Sequence, residues 1–236
     1  MLTTILFDLD GTLLPMDFDK FIKVYFYEMG MYFKDIIEPE KLTKFIWIAT
    51  EAMVKNTDWQ TNETVFFDVF SQLINSDVQI YTDRFNSFYD QGFLKTRACV
   101  GENEFVKKSV QLLKSKGYHL VIATNPLFPE KAIQHRIRWA GLNREDFSYV
   151  TSYERNHFCK PQLHFYEEIL KEIGEKPECC LMVGNDIQED IIASKLGIKT
   201  FLINDFLIHR TEEEIVVDYQ GNYEAFHQFA KSLPAI

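Results

Sequence analysis

Two hydrophobic rhythms alternate along the chain. Short, mostly apolar runs occur at residues 2–7, 118–123, 179–183 and 199–203. Each is long enough for a strand and too short for a helix, and reads as a strand buried on both faces. Between these runs, residues 103–116, 130–140, 162–173, 191–196 and 222–232 carry apolar side chains at helical spacing. Gly117, Gly141, Gly174 and Gly197 follow four of the five, where a glycine stop is favoured. Strands alternating with helices of modest length predict an α/β fold, with a parallel sheet and helices on both faces in a Rossmann-like three-layer αβα core.

The rhythm differs between Pro15 and Arg97. Phe18, Phe21, Ile22, Tyr25 and Met29 recur at helical spacing behind Asp17, a plausible N-cap. Leu42, Phe45, Ile46, Ala49 and Met53 make a second stripe. Val65, Val69, Phe70 and Leu73 make a third, entered through Thr61 or Asn62. Val78, Tyr81, Phe85, Phe88 and Tyr89 make a fourth. Four amphipathic helices joined by short polar links predict an inserted four-helix bundle. The expected division is therefore a core domain of residues 1–14 and 98–236 and a helical domain of residues 15–97. Bundle packing accounts for most of the aromatic stripes. Phe18, Phe21 and Tyr25, near the hinge and on the first helix, are the candidates to line a pocket.

Polar residues cluster where the strands stop. The first strand runs into Asp8 and Asp10, two carboxylates on one side of an extended chain, followed by Gly11. A buried strand running straight into two like charges is a local conflict of the kind found at functional sites. Carboxylates this close need a cation or a proton between them, and a hard divalent cation such as Mg²⁺ suits oxygen ligands. The second strand ends in Thr124-Asn125-Pro126, and the third in Gly184-Asn185-Asp186, with Asp190 four residues on. Lys160-Pro161 stands in a loop between them. In open α/β sheets, ligands sit at the carboxyl ends of the strands.

Charge narrows the partners. A formal net charge of −10 opposes nucleic acid as a main partner, while leaving room for a small phosphorylated molecule held by a local cation, lysine and main-chain N–H groups. The four cysteines contain no C-x-x-C, so reduced thiols in a cytoplasmic protein are expected. No leader and no apolar run of bilayer length is expected, hence no membrane partner. The chain is expected to act as a monomer or homodimer.

Asp8-Leu9-Asp10-Gly11-Thr12 resembles motif I (D-x-D-x-T) of the haloacid dehalogenase (HAD) superfamily, whose commonest members are Mg²⁺-dependent phosphatases. Thr124 resembles its motif II, Lys160-Pro161 its motif III, and the segment from Gly184 to Asp190 its motif IV, in the family's order. The helical insertion after motif I looks like the family's C1-type cap. The resemblance implies a phosphoric monoester hydrolase acting through an aspartyl-phosphate. Asp8 would be the nucleophile and Asp10 the general acid and base. Thr124 and Lys160 would hold phosphoryl oxygens, with further phosphate contacts at Asp8, Leu9, Asp10 and Asn125. Mg²⁺ would take Asp8, the Asp10 main chain and Asp186. Motif IV departs slightly from the common form, because Asn185 stands right after the glycine. Charge favours Asp186 as ligand and registration favours Asn185, with Asp190 as outer support or a weaker ligand. Asp10 also argues for an ester leaving group, since a halide needs no proton. A phosphomutase acting on a phosphosugar, and a non-catalytic binding or regulatory module with this fold, are the alternatives.

Overall fold

The computed structural model describes every residue except Asn75 and Glu213. Its centre is a six-stranded, all-parallel sheet of order β3-β2-β1-β4-β5-β6. The strands are β1 (Thr4–Phe7), β2 (His119–Ile122), β3 (Tyr149–Val150), β4 (Cys180–Gly184), β5 (Lys199–Ile203) and β6 (Tyr219–Gly221). Alternation along each strand splits the core in two. Ile5, Phe7, Leu120 and Ile122 join Val110 of α5 (Glu104–Ser115), Ile133 of α6 (Glu130–Trp139) and Phe226 of α8 (Tyr223–Ser232). Leu6, Val121 and Met182 join Phe165 and Ile169 of α7 (Leu163–Ile173). The sheet is thus apolar on both faces, which is why its strands read as continuous apolar runs.

Chain order runs outward from β1 in one direction and from β4 in the other. The reversal leaves a crevice at the carboxyl ends of β1 and β4, where such sheets bind ligands. Asp8 follows β1, and Asn185 and Asp186 follow β4.

Between β1 and α5 lie α1 (Phe18–Phe33), α2 (Pro39–Lys55), α3 (Asn62–Leu73) and α4 (Val78–Asp90). Asp17, Thr61 and Asp77 accept hydrogen bonds from first-turn N–H groups, satisfying donors the helix leaves free. Phe33, Phe70, Tyr81, Phe85 and Phe88 are buried among these helices. The bundle rests on the α/β core at defined points. Asn62 donates its side-chain amide to the Pro126 carbonyl (3.2 Å) and its main-chain N–H to the Asn156 carbonyl (2.9 Å). Gln162 reaches back to the Val54 and Asn56 carbonyls (2.6 and 3.0 Å).

Three readings of the sequence need correction. Residues 199–203 are not the last strand, because β6 follows, and β3 precedes the run at 179–183. Both missed strands are two or three residues long, and β6 is largely exposed, so neither forms an apolar run. Residues 191–196 form a 3-10 helix, as do residues 92–99. No helix among the described residues is long and apolar enough to cross a membrane.

Candidate active site

Parallel pairing of β1 with β2 and β4 sets the geometry. The Asp8 N–H donates to the Val183 carbonyl (2.9 Å), so the sheet still holds the residue by its amide just past the end of β1. Beyond it the chain turns at Gly11, whose φ of 85° is left-handed. A Cβ there would stand 2.4 Å from the Asn185 amide nitrogen, so glycine is required twice over. Tyr223 of α8 donates its hydroxyl to the Gly11 carbonyl (2.9 Å) and props the turn from behind.

Lys160 is the centre of charge. Its ammonium is buried and donates to Asp8 Oδ1 (2.9 Å) and Asp190 Oδ1 (2.6 Å). Asp190 Oδ2 accepts the N–H groups of Asn185 and Asp186 (3.0 Å each), tying the loop after β4 to the lysine. Gly184 makes this approach possible, since a Cβ would fall 2.1 Å from the Asp190 carboxylate. Asn125 accepts the Lys160 main-chain N–H (3.2 Å) and donates to Glu189 Oε2 (3.2 Å).

Burial pushes the Asp8 carboxyl up to about 6, against the pull of Lys160 and with help from Asp10. Burial likewise pushes Asp190 to about 7 and Glu189 to about 7, each opposed by Lys160. Burial pulls Lys160 down, but Asp190 and Asp8 outweigh it and hold the ammonium charged, well above its ordinary value. Burial raises Asp10 too, and the neighbouring Arg136 guanidinium offsets part of that rise.

Arg136 was not singled out as a site residue from sequence. It lies fully buried on the apolar face of α6 with Ala132, Ile133 and Ile137, and its Nη1 donates to Asp10 Oδ2. The guanidinium sits 4.4 Å from the Phe128 ring centroid. Asp10 Oδ1 is buried without a hydrogen-bond partner, so one oxygen of that carboxyl is anchored and the other is uncommitted. The available signal was an arginine inside an apolar helical stripe. Replacing Arg136 with Met leaves Asp10 buried and unpaired, and is expected to destabilise the fold by about 3–5 kcal/mol in urea melts at pH 7.5. Adding Asp10→Asn is expected to recover most of that loss.

The carboxylates of Asp8, Asp10, Asp186, Glu189 and Asp190, with Thr124, Asn125 and Asn185, line one cavity of about 100 Å³. The structure thus brings together all the residues singled out at strand ends, and Lys160 reaches them by its hydrogen bonds. Leu9 differs. Its side chain is in the core and its carbonyl accepts the Thr12 and Leu14 N–H groups, so only its N–H could meet a phosphate. Asn185 is committed elsewhere, with Oδ1 accepting the Thr12 hydroxyl (2.8 Å) and Nδ2 donating to the Phe206 carbonyl (2.7 Å). The Asp186 carboxylate accepts the Gln188 and Glu189 N–H groups and pairs with Arg210 (2.7 Å). Arg210 and Glu189 were not anticipated, because nothing local marks them.

A divalent cation fits this donor set by charge. Five carboxylates face the cations of Lys160, Arg136 and Arg210, and three of the five are pushed to about 6 or 7 by burial. The expected ligands do not converge as three acidic side chains, since no such cluster occurs among the described residues. Asp10 is held by Arg136 and Asp186 by Arg210. A cation would therefore be held by Asp8, which meets Lys160 through Oδ1, by Asp186 in exchange for its contact with Arg210, and by a main-chain carbonyl.

The family model of haloacid dehalogenase-like hydrolases matches residues 2–196. A glyceraldehyde 3-phosphate phosphatase of Methanothermobacter thermautotrophicus is 36% identical over 104 residues, spanning 44% of this chain and 45% of that protein. The pyrophosphatase PpaX of Bacillus cereus is 25% identical over 203 residues, spanning 86% and 83%. Among solved structures, a HAD phosphatase from Thermococcus onnurineus superposes with a TM-score of 0.62 at 17% identity over the full length of both chains. The L-2-haloacid dehalogenase of Xanthobacter autotrophicus superposes with a TM-score of 0.59 at 14% identity, covering 99% of this chain and all of that one. With a match to 195 consecutive residues, and a sheet whose strand ends carry an aspartate pair and an acidic loop to one crevice where a loop lysine joins them, the chain belongs to the haloacid dehalogenase-like hydrolases.

Proposed function

We propose that this hydrolase is a Mg²⁺-dependent phosphoric monoester phosphatase that works through an aspartyl-phosphate on Asp8. The observation that carries this reading is the buried Lys160 ammonium clamped between Asp8 and Asp190, with Asp10 beside it on a separate cation. Relatives named as phosphatase and pyrophosphatase support it.

In the first step an Asp8 carboxylate oxygen attacks phosphorus and the P–O bond to the alcohol breaks. Asp10 gives its proton to the departing oxygen, a role consistent with a carboxyl raised by burial and oriented through one oxygen by Arg136. In the second step Asp10 takes a proton from water, which attacks the phosphoryl group, and Asp8 and inorganic phosphate are released. Lys160 and the Thr124 hydroxyl stabilise the equatorial oxygens. Mg²⁺ held by Asp8, Asp186 and the Asp10 main-chain carbonyl would offset the repulsion between nucleophile and phosphate. Residues 15–97 serve as a cap over this site, and residues 1–14 and 98–236 as its catalytic core. The Asp10 acid supports an ester substrate over a halide, which leaves unprotonated.

Hydrolysis of an aryl phosphate is expected with Mg²⁺ and is expected to stop with chelator. A thermal melt reads the cation separately. The carboxyls of Asp8, Asp190 and Glu189 are raised above their ordinary values near about 4. Their contribution to stability is full at low pH and is lost as pH rises through about 6–7. Saturating Mg²⁺ is therefore expected to raise the melting temperature by about 5–10 °C at pH 7.5 and by much less at pH 5. Equal shifts at both pH values would argue against a cation at these carboxylates.

A further inference from the structure

A second cavity, of about 210 Å³, lies between the helical insertion and the α/β core. It shares Phe18, Leu127, Phe128 and Glu189 with the walls of the carboxylate cavity. The rest of its lining is dominated by rings from all four inserted helices. No Lys, Arg or His side chain lines it among the described residues, and its one charged wall residue is the acid Glu189. Its phenol groups are partly spoken for, since the Tyr25 and Tyr89 hydroxyls bond to each other at 2.9 Å. Two of its rings are not bundle core. Trp47 is 51% exposed and Phe18 41% exposed, while the rings packed in the bundle interior are nearly all buried. Phe26 and Trp47 stand 5.4 Å apart and form one side of the cavity.

We infer that the leaving group of the substrate is an uncharged apolar alcohol, aromatic or alkyl, seated among these rings. The inference rests on the phosphatase reading and adds the chemical class of its substrate. The volume exceeds the ~150 Å³ of an apolar cavity that holds benzene, so it admits a substituted or fused ring. A second phosphate or a carboxylate on the leaving group would meet Glu189 and aromatic faces with no Lys, Arg or His in the lining, since Arg136 lies behind Phe128 on Asp10 and Arg210 is paired with Asp186 and Glu189, and a buried unpaired anion is strongly disfavoured. The expected preference therefore departs from pyrophosphate and from glyceraldehyde 3-phosphate, the compounds in the relatives' names. Pyrophosphate is excluded by charge. The short polar aldehyde of glyceraldehyde 3-phosphate leaves most of the ring surface unfilled.

The test compares kcat/KM for 1-naphthyl phosphate, hexyl phosphate, phosphoglycolate and pyrophosphate, with calorimetric binding of 1-naphthol alongside. The naphthyl and hexyl esters are expected to exceed the two anionic substrates by at least about 100-fold. Trp47→Ala is expected to raise KM for the naphthyl ester about 10-fold and to weaken naphthol binding equally, with Trp47→Phe restoring most of both. Trp47 is half-exposed, so the variant is expected to fold. Phosphoglycolate or pyrophosphate turned over as fast as the naphthyl ester would overturn the assignment. So would naphthol binding that ignores Trp47. Naphthol bound through Trp47 with no ester hydrolysed would sink the phosphatase reading and leave the apolar site standing.

Discussion

Asp8→Asn is expected to cut turnover of an aryl phosphate by about 10⁴-fold or more, with the protein as stable as the parent or more so. The rate loss follows from removing the nucleophile, which the remaining groups cannot replace. The stability result follows from burial. The Asp8 carboxyl is pushed up to about 6, so its ionised form is disfavoured by the fold, and an amide of the same shape removes that cost. Asn keeps an oxygen to accept from Lys160, whose charge Asp190 still balances. Single-turnover kinetics and a urea melt at pH 7.5 separate the two effects. Turnover surviving at a tenth of the parent rate would rule out covalent catalysis at Asp8.

Lys160→Met carries the opposite signature, with activity and stability failing together. The substitution leaves Asp8 and Asp190 facing each other without the ammonium that joins them. Breaking a buried pair from one side costs about 3–5 kcal/mol, and loss of a cation aimed at the transferring phosphoryl group costs about 10²–10³-fold in kcat. The pH dependence has a definite sign. Both carboxyls are already raised in the folded state, and loss of the lysine raises them further. The instability is therefore greatest above pH 7 and recedes toward pH 5, as the carboxyls take up protons. Adding Asp190→Asn is expected to restore stability without restoring turnover. Urea melts at pH 5 and 7.5 with initial rates on the aryl ester check both claims. A destabilisation independent of pH would mean that Lys160 matters for packing, not for charge.

Much of this site is legible before folding because its residues occupy strand ends. A short apolar run cannot absorb the charge of Asp8 or Asp186, so the change from apolar to acidic marks both the end of the strand and the edge of a crevice. Helix starts are legible for a similar reason, since Asp17, Thr61, Asn103 and Asn222 offer oxygens to main-chain N–H groups a few residues away. Such signals are local in the chain, and a sequence displays local relations directly.

Glu189 and Arg210 give no such signal, because they act from unremarkable loops, and the one sign of Arg136, its place in an apolar helical stripe, does not name a partner more than a hundred residues away. Arg136 meets Asp10 across 126 positions, a pairing that exists only once α6 packs on the sheet face that also buries Ile5 and Phe7. Asn185 shows the same limit. Registration with the glycine favours it and charge favours Asp186, yet only folding commits its amide to Thr12 and Phe206. The inserted aromatics divide in the same way. Spacing puts Phe21 and Phe26 on one helix alike, and only packing buries the first and brings the second to the wall of a cavity. The sequence by itself determined the four long apolar strands, the helical stripes and the acidic strand ends, since these depend on neighbours within a few residues, while the two short strands β3 and β6 carry too little apolar surface to show. The tertiary structure decided which cation meets which carboxylate, which rings stay open and how much charge is left uncompensated, since these depend on burial and distance across the whole chain.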